Sequence, residues 1–439
     1  MFKYSKLNEK EIIITQFNSD ECNVVIPEYI DSYKVRAIGS EAFSEYGENI
    51  EKVTLPAGIR RIEKEAFKYC INLRELNLNE GLEYIGEDFI FLTSIEEIFI
   101  PSSVRDICAE SNLKGIRWNI DENNKVYFTD GCALYKRVDN ETVLICMLDN
   151  IQDSSYKVMD GCTLIEDDAF TGIDALKEIY LPSSLKTIKA SAINRSFTWD
   201  KKMLGIAKII AAQDSEYLMS DDTALYQKTK DGLSLIFCFA LPEEYRIDDK
   251  VTRILEGAFC DERLSSVTFP ANIRYVDKNA FSHCDNMKKL IFEKDEVRLY
   301  IPQVPVYRKE EICRLFSNEE ADHIYDYSAY DRVWESYKNI KDRVMMALCR
   351  LHYAIELSEI NKERYRSFLE DEFEAIIADV ASREDTDEMR ELISGSCFDN
   401  NNIDIALEII NSAHVGKLSA MLMEYRNEKL GFNIEEFDI

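Results

Sequence analysis

Four histidines and twelve cysteines are the residues of this 439-residue chain best suited to covalent or metal chemistry. The histidines are His283, His323, His352 and His414. They lie far apart in sequence, and none belongs to an H-E-x-x-H or H-x-E arrangement. No two cysteines have the C-x-x-C spacing that a zinc ribbon or a thioredoxin-like redox centre needs. His283-Cys284-Asp285 does gather an imidazole, a thiol and a carboxylate, the groups a nucleophile or a metal site would use. The phosphate-cradling and acyl-transfer signatures G-x-x-x-x-G-K-[ST], G-x-G-x-x-G and G-x-S-x-G are absent. Asp121-Glu122-Asn123-Asn124 offers oxygen ligands without calcium-loop spacing and reads as a turn. Asn140-Glu141-Thr142 and Asn194-Arg195-Ser196 fit the glycosylation triplet, a pattern that also arises by chance. These patterns point to a chain that is not an enzyme and needs neither metal nor cofactor.

Charge narrows the partners. The chain carries 82 acidic against 53 basic residues, a formal charge of −29. Such a surface repels phosphate backbones and anionic lipid, which argues against nucleic acid and favours a protein partner. Hydrophobic residues make up 46% of the chain, enough to fill folded cores. The N-terminus, MFKYSKLNEKEIIITQF, has no apolar stretch of the secretory type. The longest apolar run, Leu233 to Leu241, is far shorter than the roughly 18–20 residues that cross a bilayer. Free buried cysteines suit a reducing compartment. The expected location is therefore cytoplasmic, with a secreted or cell-surface protein as the alternative.

The elements that would position these groups are repeats. Pro56 is followed by Ile59 and Ile62, Pro101 by Val104 and Ile107, Pro182 by Leu185 and Ile188, and Pro270 by Ile273 and Val276. Ala-Phe pairs follow at 42–43, 66–67, 169–170, 258–259 and 280–281. An L-x-x-L-x-L pattern comes next, as in Leu73, Leu76 and Leu78, and the unit spans about 23 residues. Stacked coils explain the uneven apolar spacing, because each side of a coil sends its own residue inward. The L-x-x-L-x-L segment is expected to be a strand, with the Pro just past it. The Phe is expected to fill the space between coils, with Lys68 outside. Cys284 falls in the same slot as Cys70 and is expected to pack there as a small apolar residue. One coil buries too little apolar area to offset the ordering of its backbone, so stacking must supply the rest.

"LPAGIRRIEKEAFKYCINL", "FPANIRYVDKNAFSHCDNM" and the opening "VVIPEYIDSYKVRAIGSEAF" resemble the BspA-type leucine-rich repeat family over roughly residues 1–305. The resemblance implies a solenoid that serves as a binding scaffold or a surface adhesin.

Two stretches interrupt the repeat. "VYFTDGCALYKRVDNETVLICML" (126–148) and "YLMSDDTALYQKTKDGLSLIFCFAL" (217–241) match each other at an offset of about 91 residues. Each reads as a β-hairpin inserted between coils, about 120–150 and 210–242. "YIPQVPVY" (300–307) reads as a terminal coil or linker. From residue 306 to 439 the periodicity is helical. A helix pair is expected after Asn400-Asn401-Asn402, with a break near His414-Val415-Gly416 and a stop at Gly431. A comparable pair is expected across 363–395, which resembles ankyrin-like helical hairpins. The expected fold is thus α+β and multi-domain: a repeat solenoid with a parallel sheet and two inserted hairpins (1–305), then an all-α domain (306–439).

In an L-x-x-L-x-L strand alternate residues point away from the core. The outward pairs are then Lys52 and Thr54, Glu75 and Asn77, Glu97 and Phe99, Glu178 and Tyr180, Ser266 and Thr268, and Lys289 and Ile291. Phe99, Tyr180 and Ile291 would share one row on the concave face, and Glu75, Glu97 and Glu178 the next. This face is the candidate partner site, unless the hairpins cover Phe99 and Tyr180. Three functions follow: a non-catalytic protein-interaction scaffold, a surface adhesin or effector, and an enzyme with a site near His323 and His352.

Overall fold

The computed structural model describes residues 2–108, 116–148, 153–170, 173, 175–193, 206–281, 284–302, 311–317 and 321–430. Its contacts divide the chain into two compact units, Met1–Gln227 and Lys228–Ile439.

In the first unit the coils give short strands to two kinds of sheet, within which successive coils pair in parallel. The L-x-x-L-x-L segments form one kind of sheet: Asn23–Val25, Lys52–Thr54 and Glu75–Asn77 align so that Val24, Val53 and Leu76 share a row. The segments after the Pro form the other kind. There Ile38, Ile62, Ile85 and Ile107 share a row across four strands. All seven of these side chains are buried, as pleating demands for inward positions. Two more sheets of the first kind pair Glu97–Ile100 with Arg117–Ile120, and Ser155–Lys157, Glu178–Leu181 and Lys208–Ala211 with one another.

The repeat slots have distinct mechanical roles. The Pro carbonyl accepts the amide three residues on, 3.2 Å at Pro56–Ile59 and 3.3 Å at Pro101–Val104, which turns the chain from one sheet to the other. Asn79 makes the same turn to Leu82 at 3.2 Å without a proline. The residue before the Ala-Phe pair is left-handed: Glu41, Glu65 and Asp168 have φ of 54°, 56° and 56°. Such a conformation is uncommon away from glycine, and the next small Ala fits the tight corner it makes. The Phe rings then stack. Phe17, Phe43 and Phe67 follow one another at 5.1 and 4.8 Å, and all three are fully buried.

Hairpins interrupt these stacks. Residues 126–148 form Tyr127–Thr129, Ala133–Val138 and Glu141–Met147, paired antiparallel around a turn at Asp139-Asn140. The last strand then runs parallel to Cys162–Ile165, so the hairpin is fused into the post-Pro sheet. In the second interruption Leu218–Ser220 pairs antiparallel with Ala224–Thr229, and Gly232–Cys238 runs parallel to Val251–Ile254. A third hairpin was not expected. Phe2–Lys6 pairs antiparallel with Glu11–Phe17, which runs parallel to Tyr33–Ile38. It closes the N-terminal end, with Phe2 on Phe17 at 5.3 Å.

The second unit repeats the coil and adds the helices. Glu244–Arg246, Ser266–Phe269 and Lys289–Phe292 are parallel, and Val297–Tyr300 closes the sheet antiparallel. Phe259 and Phe281 stack at 4.7 Å, and Phe269 and Phe292 at 4.9 Å. Phe316 and Tyr325, which bridge each other, cap both stacks: Phe316 lies 5.9 Å from Phe281, and Tyr325 5.3 Å from Phe292. Helices follow at Tyr327–Trp334, Ile340–His352 and Glu359–Asp371, with Asp326, Asn339 and Ser358 as side-chain N-caps. Arg350 and Asp331, both buried, join these three helices. Arg350 holds both Asp331 oxygens, at 2.6 and 3.1 Å, and donates to the carbonyls of Tyr353 and Ile355. Tyr365 donates to the same carboxylate at 2.8 Å. A buried pair so fully bonded is costly to break by removing one member.

The last helices come in two pairs: Phe373–Ser382 with Thr386–Ser394, and Ile403–Ser412 with Gly416–Tyr425. Each pair turns at a left-handed residue, Glu384 at φ 51° and His414 at φ 60°. The earlier pair begins at Phe373 rather than near residue 363. Glu359–Asp371 is a separate helix, ended one residue before Phe373. Gly431 and most of 300–307 lie outside the described residues.

Phe67→Ala or Phe281→Ala is expected to cost about 3–5 kcal/mol, because each leaves a gap between stacked rings. Lys68 was expected outside the coil. It is half-buried, paired with Glu65 at 3.0 Å and set over the Tyr69 ring, yet a Lys68→Ala change should cost far less than either Phe change. Urea unfolding of the three variants checks this, and equal losses would mean a wrong register. Fragments give a second test. Residues 306–439 lack Phe269, Phe281 and Phe292, on which Phe316 and Tyr325 rest. That fragment should be poorly soluble, whereas 228–439 should give a cooperative melt.

Candidate functional site

The outward positions lie where strand alternation puts them. Glu75 and Asn77 are exposed on either side of buried Leu76, and Glu97 and Phe99 flank buried Ile98. Phe99 is 51% and Tyr180 39% exposed, so the hairpins do not cover them. The single row, however, is not formed by direct pairing. Phe99 stands opposite Asn119, while Tyr180 stands between Lys157 and Ile210 in a different sheet. Ile291 belongs to the second unit, between Thr268 and Arg298. Val25 shares the outward position and is 71% exposed, yet it was not singled out. Its signal was present, as the second outward residue of "NVV".

The three acids have neighbours of their own. Glu75 accepts from Lys52 at 2.6 Å, and this bond holds its carboxyl below the usual range. Glu97 pairs with Arg117 at 3.3 Å and accepts from Asn119. Glu178 accepts from the Tyr180 hydroxyl at 3.0 Å. Two of the three charges are thus answered by cations from the adjoining strand, because Lys52 and Arg117 occupy the same register row.

In the second unit the outward face is the floor of a cleft of about 540 Å³. Two rows cross the floor. One is Glu244, Ser266, Lys289 and Tyr300; the other is Arg246, Thr268, Ile291 and Arg298. The wall comes from the helix Ile340–His352, through Met345, Leu348, Cys349 and His352, and from Glu391 and Ser394. This cover explains why Ser266, an outward residue, is only 5% exposed. The helices also close the sheet edge. The Cys349 thiol donates to the Arg298 carbonyl at 2.8 Å, and the Tyr330 hydroxyl to that of Tyr300 at 2.7 Å.

The nucleophile and metal candidates are held in structural roles. The Cys70 thiol faces the Phe43 carbonyl at 3.7 Å, and Cys284 faces the Phe259 carbonyl at 3.6 Å, the same contact one coil back. Burial pushes Cys70 and Cys349 up to about 12 and raises Cys284 well above its usual value, so all three are thiols at neutral pH. His283 lies outside the described residues, as does the 194–196 triplet. His323 contacts Asp295 at 2.9 Å through Nδ1, and Tyr327 donates to the other Asp295 oxygen at 2.6 Å. His352 packs edge-on against Tyr353 at the cleft wall. Among the described residues no three His, Cys, Asp or Glu side chains gather as a metal site would require, and no helix is long and apolar enough to cross a membrane.

The BspA type leucine rich repeat region matches the chain in six copies, over residues 3–113, 147–205 and 236–328. No curated protein matches it. Among solved structures it is similar to a leucine rich cell surface protein from Faecalibacterium prausnitzii, with 17% identity and a TM-score of 0.37 over 66% of this chain and 93% of that one. The pneumococcal vaccine antigen PcpA is similar at 15% identity and a TM-score of 0.40, over 66% of this chain and 91% of that one. A leucine-rich repeat protein from Bacteroides ovatus gives 17% and 0.35, over 66% and 69%.

The thiols supply a test. Iodoacetamide at pH 8 should label exposed Cys22 first and the partly exposed Cys349 slowly, and leave Cys70 and Cys284 unmodified until the chain unfolds. Peptide mass mapping reads the order, and fast labelling of Cys349 would refute its protonated, bonded state.

Proposed function

The chain belongs to the BspA-type leucine-rich repeat family, and on that premise we propose that it is a non-catalytic scaffold that binds a protein partner through the outward face of its repeat sheets. One observation carries this reading: Phe99 and Tyr180 stand more than a third exposed on strands whose remaining apolar residues are nearly all buried. Large exposed rings on a rigid sheet are suited to act as binding anchors, since little side-chain entropy is lost when they are covered. The neighbouring acids add selectivity more than attraction, because Lys52 and Arg117 already answer Glu75 and Glu97.

The adhesin reading uses the same chemistry outside the cell. Protease treatment of intact cells separates the two, since an internal chain stays whole. The enzyme reading has less support. His323 is engaged by Asp295, and the Cys349 thiol on the helix that ends in His352 is protonated.

Phe99→Ala with Tyr180→Ala should leave the melting temperature nearly unchanged, because both rings are exposed. The same pair should weaken partner capture by about 2 kcal/mol per ring. Affinity purification from native lysate with the parent and the double variant reads this. A folded double variant that recovers the same partners would remove this face.

A further inference from the structure

The cleft of the second unit differs from the rest of the outward face in one respect. On the other outward faces cations meet carboxylates, as Lys52 does Glu75 and Arg117 does Glu97, and on the cleft floor Arg246 meets Glu293. The remaining two cations of the floor do not. Neither Lys289 nor Arg298 has a carboxylate oxygen within 4.0 Å among the described residues, in a chain with 82 acids. The two are diagonal neighbours on adjacent antiparallel strands, since Lys289 stands opposite Tyr300 and Arg298 opposite Ile291. Ser266, 95% buried by its 5% exposure, lines the cleft and makes no side-chain hydrogen bond among the described residues. Its hydroxyl therefore stands open to a group bound in the cleft, as donor or acceptor.

We propose that this cleft captures the C-terminal residue of a peptide, with its carboxylate on Lys289 and Arg298. Three features select this occupant. Two unanswered cations suit one carboxylate, and Arg298 can hold it through two parallel N–H bonds. Ile291, Met345 and Leu348 give an apolar seat for the last side chain. Ser266, Thr268 and Glu391 give acceptors and donors for the preceding peptide unit. Arg246 is already neutralised by Glu293 and Asp249, and Glu244 stands on the far side of Ser266 from Lys289. A polyanion is disfavoured, because the charge of −29 repels it as a whole. A single carboxylate joined to an apolar side chain gains the local attraction without that long-range cost. Capture of a chain terminus by paired donors is a known mode of peptide recognition.

This inference rests on the reading of the chain as a binding module. It concerns a different surface from Phe99 and Tyr180, so failure of one claim leaves the other standing. The test titrates the full chain with labelled pentapeptides ending in Leu, Ile, Val or Phe, as free acids and as C-terminal amides, by fluorescence anisotropy. At least one free acid should bind tenfold or more tightly than its amide. Lys289→Gln with Arg298→Gln should remove that difference while leaving the melting temperature in place. Equal binding of acid and amide, an undiminished preference in the double variant, or no binding up to about 1 mM would overturn the proposal. Competition by 4-methylpentanoic acid at equal strength would also overturn it, since a small apolar acid would then be the occupant.

Discussion

No coil of this chain holds itself together, and the stacking of one coil on the next is the interaction on which the rest depends. It works through two kinds of contact. Backbone strands align in short parallel rows of two to four residues, and the Phe rings stack at 4.7 to 5.1 Å. Short strands cooperate only when a neighbour exists on each side. The ends of a stack are therefore its weak points, because there the inward rings and the strand edges would meet water. The chain closes one such end with the hairpin that sets Phe2 on Phe17. It closes another with Phe316 and Tyr325, while Cys349 and Tyr330 cover the carbonyls of the final strand. The helical region is in this sense continuous with the solenoid of the second unit.

The hairpins follow the same logic. Glu11–Phe17, Glu141–Met147 and Gly232–Cys238 each run parallel to the post-Pro strand of the following coil. Each is thus a place where a new stack of coils starts, with a long strand as its foundation. Asp139 at φ 54° makes the tight turn of the second, as two-residue hairpin loops require. The left-handed residue before the Ala-Phe pairs at 42–43, 66–67, 169–170 and 258–259 is a comparable fixed point. Acidic residues hold it in three coils and Gly257, at φ 67°, in another.

The coils were legible in the sequence because their slots are chemically distinct. Proline marks the corner, alanine the tight bend, phenylalanine the filling between coils, and these types recur at fixed spacing. Where a slot is filled by a different residue with the same geometry, the pattern fades. Asn79 turns the chain as Pro56 does, and Phe89 follows left-handed Asp88 where Ala66 follows Glu65. The N-terminal hairpin was missed for another reason. A single antiparallel partner leaves no repeat, and its bulge between Lys3 and Tyr4 disturbs the alternation. The helix pairs were visible through their apolar periodicity. The extra helix at Glu359–Asp371 displaced the expected start, because only a break at Glu372 separates it from the next.

The outward face was legible as a list of residues but not as a site. Strand alternation gives each residue its side of the sheet, so the exposure of Phe99 and Tyr180 followed from local pattern alone. What surrounds each one depends on contacts distant in sequence. Glu75 loses its free charge to Lys52, 23 residues earlier. The cleft is more distant still, since its floor begins at Glu244 and its wall ends at Gly395. No spacing rule links these positions. The helices that cap the final strand also stand over its outward face, so one packing event both completes the core and turns a flat sheet into a cleft. Closing the solenoid's end therefore leaves Ser266, Lys289 and Arg298 facing a confined space that their own neighbours do not fill, and the protection of the core and the making of a recognition site have the same structural cause.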